Sequence, residues 1–333
     1  MFLAASSTTV YPKCYKLFMS TGKDEWPYPR RTDFEKSMRE VASSYFRRKG
    51  LPTRRRYPYI LADREMWPDN IILPEVADYI IEEQRKALEE GRPYPLHKYI
   101  HHGLSSQALL FNLVGPMIVR DDLEPLRLAF KERGIPWPAG KTTAVFEMED
   151  RSVFNEQTAQ PTSIDLVIKN DNAGDWLFVE SKFTESGFGN CTHLVSGDCE
   201  GRNPAGDFDA CYLHSIGRKY WYRMKESGIL DGPMAESPFC PMAIYYQFFR
   251  EVLFSIHYDG CFVLLHDERN TAFFSTAESL PDRGIYPLMT SLLPEKLKPR
   301  VKRVTVQEVF AYLKNSPTHR DWAGEFACKY GIQ

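Results

Sequence analysis

The chain has 333 residues, 43% of them hydrophobic and 14% aromatic, which is enough to bury a substantial core in one large or two smaller domains. Its formal net charge of −2 excludes a globally basic coat, so any contact with nucleic acid must use local basic patches. The start, MFLAASS, has no basic region and no long apolar stretch, and no segment has the pattern of a membrane span. We therefore expect a cytoplasmic protein without membrane contact.

Residues 1–100 are predicted to form a helical extension with proline-bearing connections. Amphipathic patterns over residues 33–48 and 74–90 indicate two of its helices. Basic runs near aromatic residues suit contact with a nucleic-acid backbone, but a solvated charged surface explains them equally well. These runs are Arg47, Arg48 and Lys49, then Arg54, Arg55 and Arg56, and late in the chain Lys296, Lys298, Arg300, Lys302 and Arg303.

The rest of the chain alternates helix-like and strand-like patterns, which predicts an α/β fold. An N-capped apolar helix is expected over residues 105–117, ended by Gly115 and Pro116. Further helices are predicted over residues 122–133 and 241–256. Strands are predicted over residues 142–148, in the runs around Asp165 and Glu180, and over residues 260–266 and 301–305.

Three ionisable residues stand in two neighbouring strand-like runs, separated by turn-forming residues at 170–174. Period-two geometry sends Glu180 and Lys182 to the same side of their strand, and a hairpin brings Asp165 beside Glu180. Carboxylate oxygens are ligands for Mg²⁺, and a nearby lysine can offset charge as a phosphodiester is attacked. The pattern therefore predicts hydrolysis of a nucleic-acid backbone.

At these residues the chain resembles the PD-(D/E)XK nuclease superfamily, the restriction-endonuclease-like fold. The match is D-x14-E-x-K, and Ile164 stands where the family name has proline. The resemblance implies Asp165 and Glu180 as ligands of Mg²⁺ or Mn²⁺, the Ser181 carbonyl as a further ligand, and Lys182 as the catalytic lysine. It also implies a mixed central β-sheet flanked by helices, with an αβββαβ core, over residues 101–333. Many relatives dimerise, so a homodimer is an expectation.

Accessory residues are expected near this site. Glu147, at the end of the preceding strand, would add a metal contact or simply face water. Gln247 and Arg250 share one face of the predicted helix 241–256, which in this superfamily often supplies polar groups toward the scissile phosphate. A helix surface with an aromatic core side is the alternative for both.

Cysteines are the second informative feature, since Cys191, Cys199, Cys211 and Cys240 fall within fifty residues. They lie in or beyond an expected insertion near residues 186–215, of which residues 189–207 are too poor in apolar residues to form their own core. Four thiolates would hold Zn²⁺ or an iron–sulfur cluster, with His193 or His214 as a substitute ligand, yet the spacing lacks any C-x-x-C pair. Buried free cysteines are the alternative.

The sequence thus predicts a Mg²⁺-dependent nuclease acting on nucleic acid, most simply DNA. Ionisable residues amid runs such as Ile164–Ile168 and Trp176–Val179 are costly unless they serve a site, whereas two acids and a lysine on a solvated surface are common. The alternative function is a nucleic-acid-binding or scaffold protein that keeps the nuclease fold without cutting.

Overall fold

A five-stranded mixed β-sheet lies at the centre of the computed structural model, which describes residues 28–157, 161–170, 175–277 and 280–333. The strand order is β3-β4-β5-β6-β9, antiparallel from β3 to β5 and parallel from β5 to β9. Two small hairpins, β1-β2 and β7-β8, lie outside it. The strands are β1 Thr53–Arg54, β2 Tyr57–Leu61, β3 Thr143–Glu149, β4 Ser163–Lys169, β5 Leu177–Lys182, β6 Cys261–His266, β7 Ser275–Ala277, β8 Leu280–Arg283 and β9 Val301–Thr305.

Helices pack on both faces of this sheet. They are α1 Arg31–Arg48, α2 Pro74–Glu89, α3 Ser106–Val119, α4 Glu124–Glu132, α5 Arg151–Phe154, α6 Thr192–Ser196, α7 Tyr212–Ser215, α8 Tyr220–Ser227, α9 Met242–His257, α10 Ile285–Ser291, α11 Val306–Leu313 and α12 Arg320–Tyr330. Short 3₁₀ turns occur at Arg64–Asn70, Phe208–Ala210, Ile229–Asp231, Pro233–Glu236 and Lys298–Arg300. In the part of the chain described, no helix is long and apolar enough to cross a bilayer.

The core is divided by the sheet into two apolar layers, because alternate residues of each buried strand face opposite sides. On one face, Val179 and Val263 pack with residues of α2, α3, α4, α11 and α12. On the other face, Phe178 and Phe262 pack with residues of α8, α9 and α10. Strands β5 and β6 are buried along their whole length, so any polar group on them is shielded from water.

Residues of the first hundred share the core of the rest of the chain. Phe34, Val76 and Ile100 belong to the same buried cluster as Val179 of the central sheet. The N-terminal segment therefore covers one face of the sheet, while its division from the remainder near residue 100 stays a prediction.

Most predicted elements occur close to their expected bounds, and the strand at Val301–Thr305 is confirmed. The predicted end of the helix at Gly115 and Pro116 is wrong, because α3 continues to Val119 with Pro116 inside it. Gly115 instead allows close packing against α2, since a Cβ there would lie 2.4 Å from Val76 Cγ1. Burial of most of α3 overrides the local stop signal.

One further difference concerns a hairpin. The segment around residues 52–58, expected as a proline-bearing connection, forms the β1-β2 hairpin, with Thr53 opposite Leu61. The turn predicted at 170–174 lies, apart from Asn170, outside the described residues, but its flanking strands pair as expected, with Leu166 opposite Val179.

Candidate active site

The hairpin of β4 and β5 brings the three predicted residues together. Val167 pairs with Phe178 and Leu166 with Val179, so the same register continued by one residue sets Asp165 opposite Glu180. The backbone N–H of Ser181 donates to Asp165 Oδ2 at 2.9 Å. Lys182 Nζ lies 2.5 Å from Glu180 Oε1. Asp165, Glu180 and Lys182 thus form one cluster on the sheet face that α9 covers.

Gln247 of α9 completes the contacts of this cluster. Its amide nitrogen donates to Glu180 Oε1 at 2.6 Å, and its amide oxygen accepts from Lys182 Nζ at 2.9 Å. One amide therefore fixes the relative positions of the carboxylate and the ammonium group. The sequence prediction of Gln247 as an accessory group agrees in position with this arrangement, while its catalytic role stays a prediction.

The cluster is buried, with Glu180 at 2% and Lys182 at 6% of full exposure. Burial raises the pKa of Asp165 well above its usual range, and the nearby Glu180 and Glu147 raise it further. For Lys182, burial by itself lowers the pKa, but Glu180, Glu185 and Glu251 outweigh it and raise the pKa above its ordinary value. Lys182 is therefore a permanent cation amid acids that repel one another.

Glu147 joins the cluster from β3 through an unusual backbone conformation. Its φ of 55° lies in the left-handed region, a costly state for a residue with a side chain. The paired residues around it are Phe146 with Leu166 and Met148 with Ile164. Its two carboxylate oxygens accept from Gln107 Nε2 at 2.6 Å and Ser163 Oγ at 2.9 Å. Burial raises the pKa of Glu147 to about 7.

Glu251 is a further acid of the cluster that the sequence analysis missed. It lies on α9 one helical turn after Gln247 and is 1% exposed. Burial, and then repulsion from Glu180, raises its pKa well above the usual value. The spacing of four residues from Gln247 was a sequence signal for it, because positions i and i+4 share a helix face.

Arg250 points to a neighbouring polar cluster instead. Its guanidinium group donates to Thr162 Oγ1 at 2.7 and 2.9 Å and lies 3.4 Å from Glu156 Oε1. Glu156 also accepts from the Tyr220 hydroxyl at 2.5 Å. The two accessory residues predicted on α9 therefore serve different clusters, and only Gln247 contacts Glu180 and Lys182.

The donor set at Asp165 and Glu180 fits a hard cation. Glu180 Oε2 and Glu251 Oε2 are buried without a hydrogen-bond partner, which is unusual for carboxylate oxygens and leaves acceptor capacity for a cation. Within the ranges that the structure describes, no three His, Cys, Asp or Glu side chains stand together as ready metal ligands. A Mg²⁺ ion here would thus use two carboxylates, a main-chain carbonyl and several waters, which suits its coordination habits.

The basic runs differ in how far acids neutralise them. Three basic residues of the late run are each paired with an acid, and we call them the C-terminal basic cluster: Lys296 with Asp231, Lys298 with Glu295, and Arg300 with Asp259. Arg48 and Lys49 approach Glu325. By contrast, Arg54, Arg55 and Arg56, the hairpin basic cluster, are in no ion pair with a described acid, and Arg56 stacks on Tyr57.

The four predicted cysteine ligands are partly buried free thiols in the segment between β5 and α9. Cys14 lies outside the described residues.

The fold and the cluster define an α/β protein whose mixed sheet carries two acids and a lysine in a buried polar site. A family model described as "Restriction Endonuclease associating with ARP" matches residues 38–331. The match spans most of the chain, and the chain belongs to this restriction-endonuclease family. The family's description indicates a nuclease-like role in general. No curated protein and no solved structure matches the chain significantly.

Proposed function

We propose that the protein is a Mg²⁺-dependent nuclease of the PD-(D/E)XK type that hydrolyses phosphodiester bonds of DNA. The observation that carries this proposal is the convergence of Asp165, Glu180 and Lys182, with Lys182 Nζ 2.5 Å from Glu180 Oε1. The chain order α3, β3, β4, β5, α9, β6 supports the same superfamily core. Membership in a restriction-endonuclease family supports DNA as the substrate.

The desolvation cost of the buried cluster favours a cation-binding site over a purely structural ion pair. Burying a lysine and several acids costs desolvation free energy that their attraction offsets only partly. The cluster also holds more acids than cations, since Glu147, Glu251 and Asp165 surround a single lysine. A fold selected only for stability would gain from apolar residues here, so the excess of acids indicates a cation-binding function.

In the proposed mechanism, Asp165, Glu180 and the Ser181 carbonyl would hold Mg²⁺, which would supply positive charge to the phosphate under attack. Lys182 orients the attacking water and stabilises the negative charge that develops on the phosphoryl oxygens. Gln247 holds the Lys182 ammonium group in position through the 2.9 Å contact. The apolar strands around the cluster exclude bulk water, which strengthens each of these charge interactions.

The test is cleavage of plasmid and single-stranded DNA by the purified chain with Mg²⁺ or Mn²⁺, against an EDTA control. Asp165→Asn and Lys182→Met keep side-chain size and should reduce the cleavage rate by at least roughly 100-fold, the usual cost of losing a charge-stabilising group. Glu40→Gln, an exposed acid on α1, is the matched control and should cut like the parent chain.

The outcomes separate the candidate functions. Full cleavage activity in Asp165→Asn and Lys182→Met would show that these residues do not belong to the active site. A folded parent chain that binds DNA tightly but never cuts it under any divalent ion would instead favour the non-cleaving binding protein.

A further inference from the structure

The segment between β5 and α9 has few buried side chains in its first part, where only Gly201 and Pro204 of residues 189–217 are buried. Helices α6 and α7 and the turn at Phe208–Ala210 contain no buried residue. Apolar side chains are instead exposed along it, with Val195 at 71% and Phe239 at 73% of full exposure. Half-buried side chains of this part, among them Phe208 and Leu213, pack against the core on the α9 side of the sheet, and a further link would add to that limited packing.

Main-chain hydrogen bonds bring three distant cysteines of this segment together. The Cys191 N–H donates to the Ala243 carbonyl at 2.9 Å, and the Ala243 N–H donates to the Cys240 carbonyl at 2.9 Å. The Cys240 N–H donates to the Gly201 carbonyl at 2.7 Å, and the Gly201 N–H donates to Cys199 Sγ at 3.3 Å. Cysteines 191, 199 and 240 are thus linked through two intervening residues.

Cys211 approaches the same place from the other side of the segment. The ring of Tyr212, its chain neighbour, lies 4.3 Å from the ring of His193, which is two residues after Cys191. Cys211 is close enough to interact electrostatically with both Cys191 and Cys240. All four cysteines of the segment therefore gather in one region, although they are up to 49 positions apart in sequence.

The backbone around these sulfurs is arranged for thiolates. Besides the Gly201 N–H at Cys199, the N–H groups of His193 and Leu194 interact with the sulfur of Cys191, and those of Met242 and Ala243 with the sulfur of Cys240. N–H donors two and three residues after a cysteine offset the negative charge that metal-bound thiolates carry. Burial raises the pKa of the Cys191 thiol and raises that of Cys240 to about 12.

We propose that Cys191, Cys199, Cys211 and Cys240 bind one Zn²⁺ ion, which holds the segment together and fixes the start of α9. Four thiolates are a complete tetrahedral ligand set for Zn²⁺. The two histidines nearby each face an acid, His193 toward Asp198 at 3.5 Å and His214 toward Asp209 at 3.9 Å, which leaves the ligand positions to the cysteines.

Side-chain rotation is part of this proposal. Since no three potential ligands in the described residues already stand in metal-binding geometry, the thiols must turn toward one point when the ion binds. A metal that closes such a segment contributes its binding free energy to folding.

The first experiment measures metal content of the full chain, purified and reconstituted with Zn²⁺ under reducing conditions. We expect about one zinc per chain, and reconstitution with Co²⁺ should give the intense absorption of thiolate-bound cobalt. Cys199→Ser and Cys211→Ser should each lower zinc content at least roughly tenfold at limiting zinc. The control is Cys328→Ser, an exposed thiol on α12, which should keep its zinc.

A second measurement uses only the parent chain and therefore does not depend on whether the cysteine variants fold. Titration of the parent chain with a mercurial thiol reagent should release the zinc only as the segment's thiols react, without any mutation. A folded parent chain that takes up no zinc, or that keeps it in Cys199→Ser, overturns the proposal, and so does bound iron with visible absorption. No step uses nucleic acid, and Asp165→Asn should keep full zinc content, so the result is independent of the proposed nuclease function.

Discussion

Glu147 offers a sharp test of the electrostatics of the buried cluster. The substitution Glu147→Gln removes its charge and keeps both contacts, because the amide oxygen can accept from Gln107 and the amide nitrogen can donate to the Ser163 hydroxyl. Gln therefore changes the charge at this position with little change of shape or hydrogen bonding.

The expected effect depends on pH. Burial raises the pKa of Glu147 to about 7, from an ordinary 4.5, so between these pH values the folded chain keeps a proton that the unfolded chain has lost. Stability of the parent chain therefore falls as pH rises from about 4.5 to about 7, and the loss is complete above that. A pKa difference of this size corresponds to roughly 3 kcal/mol at about 1.4 kcal/mol per pH unit.

The assay is urea unfolding followed by tryptophan fluorescence in EDTA at pH 5 and pH 8.5. Glu147→Gln should match the parent chain at pH 5 within about 0.5 kcal/mol and exceed it by roughly 2–3 kcal/mol at pH 8.5. The exposed Glu40→Gln should show no such difference between the two pH values. An equal effect of Glu147→Gln at both pH values, or a destabilisation at pH 8.5, would refute the account of a strained, charged cluster.

Three further predictions concern the buried cluster around Lys182 and the hairpin basic cluster. Glu251→Gln should cut DNA within about threefold of the parent chain, because the amide is neutral and has the same size as the carboxyl group whose pKa burial raises, whereas Glu251→Ala should lose roughly 10–100-fold in rate. Gln247→Leu should lower the cleavage rate by roughly 10–100-fold, because Lys182 loses the amide oxygen of Gln247 as a hydrogen-bond acceptor. The rate is measured as a function of Mg²⁺ concentration. Alanine substitution of the hairpin basic cluster in an Asp165→Asn background should reduce the salt dependence of DNA binding, measured by fluorescence anisotropy, by a slope of up to about 3.

Each of these three predictions would be contradicted by a specific outcome. Equal loss in both Glu251 variants would make that carboxylate a metal ligand, and a fully active Gln247→Leu would remove any positioning role for the amide. For DNA binding, the matched variant is alanine substitution of the C-terminal basic cluster, whose members are paired with acids and should change the slope less. A larger change of the slope in the variant of the C-terminal basic cluster would indicate that DNA contacts that surface instead.

Local patterns in the sequence were sufficient to predict the hairpin that carries the site. The alternation of apolar residues around Asp165 and Glu180 specifies two buried strands, and the period of two fixes which side chains share a face. The turn formers between them require antiparallel pairing. The proximity of Asp165, Glu180 and Lys182 therefore follows from short-range rules, while their catalytic role stays a prediction.

Residues contributed by distant elements were harder to predict. Gln247 and Arg250 lie three apart on one helix, yet only Gln247 reaches Glu180, because packing of α9 on the sheet fixes the rotation of the helix. Glu251 has one sequence signal, its spacing of four residues from Gln247, but that spacing does not say whether their shared helix face meets the sheet. The left-handed φ of Glu147 likewise has no local signal, since glutamate rarely adopts it.

The sequence by itself determined the five strands of the central sheet, most helices and the pairing of the acid-x-lysine strand with its neighbour, because these depend on periodicity and turn chemistry within a few residues. Only the tertiary structure decided that α3 runs through Pro116, that the first hundred residues share the central core, and which acids gather around Lys182. Those features depend on packing between segments far apart in the chain, where burial outweighs local propensity and sets each pKa.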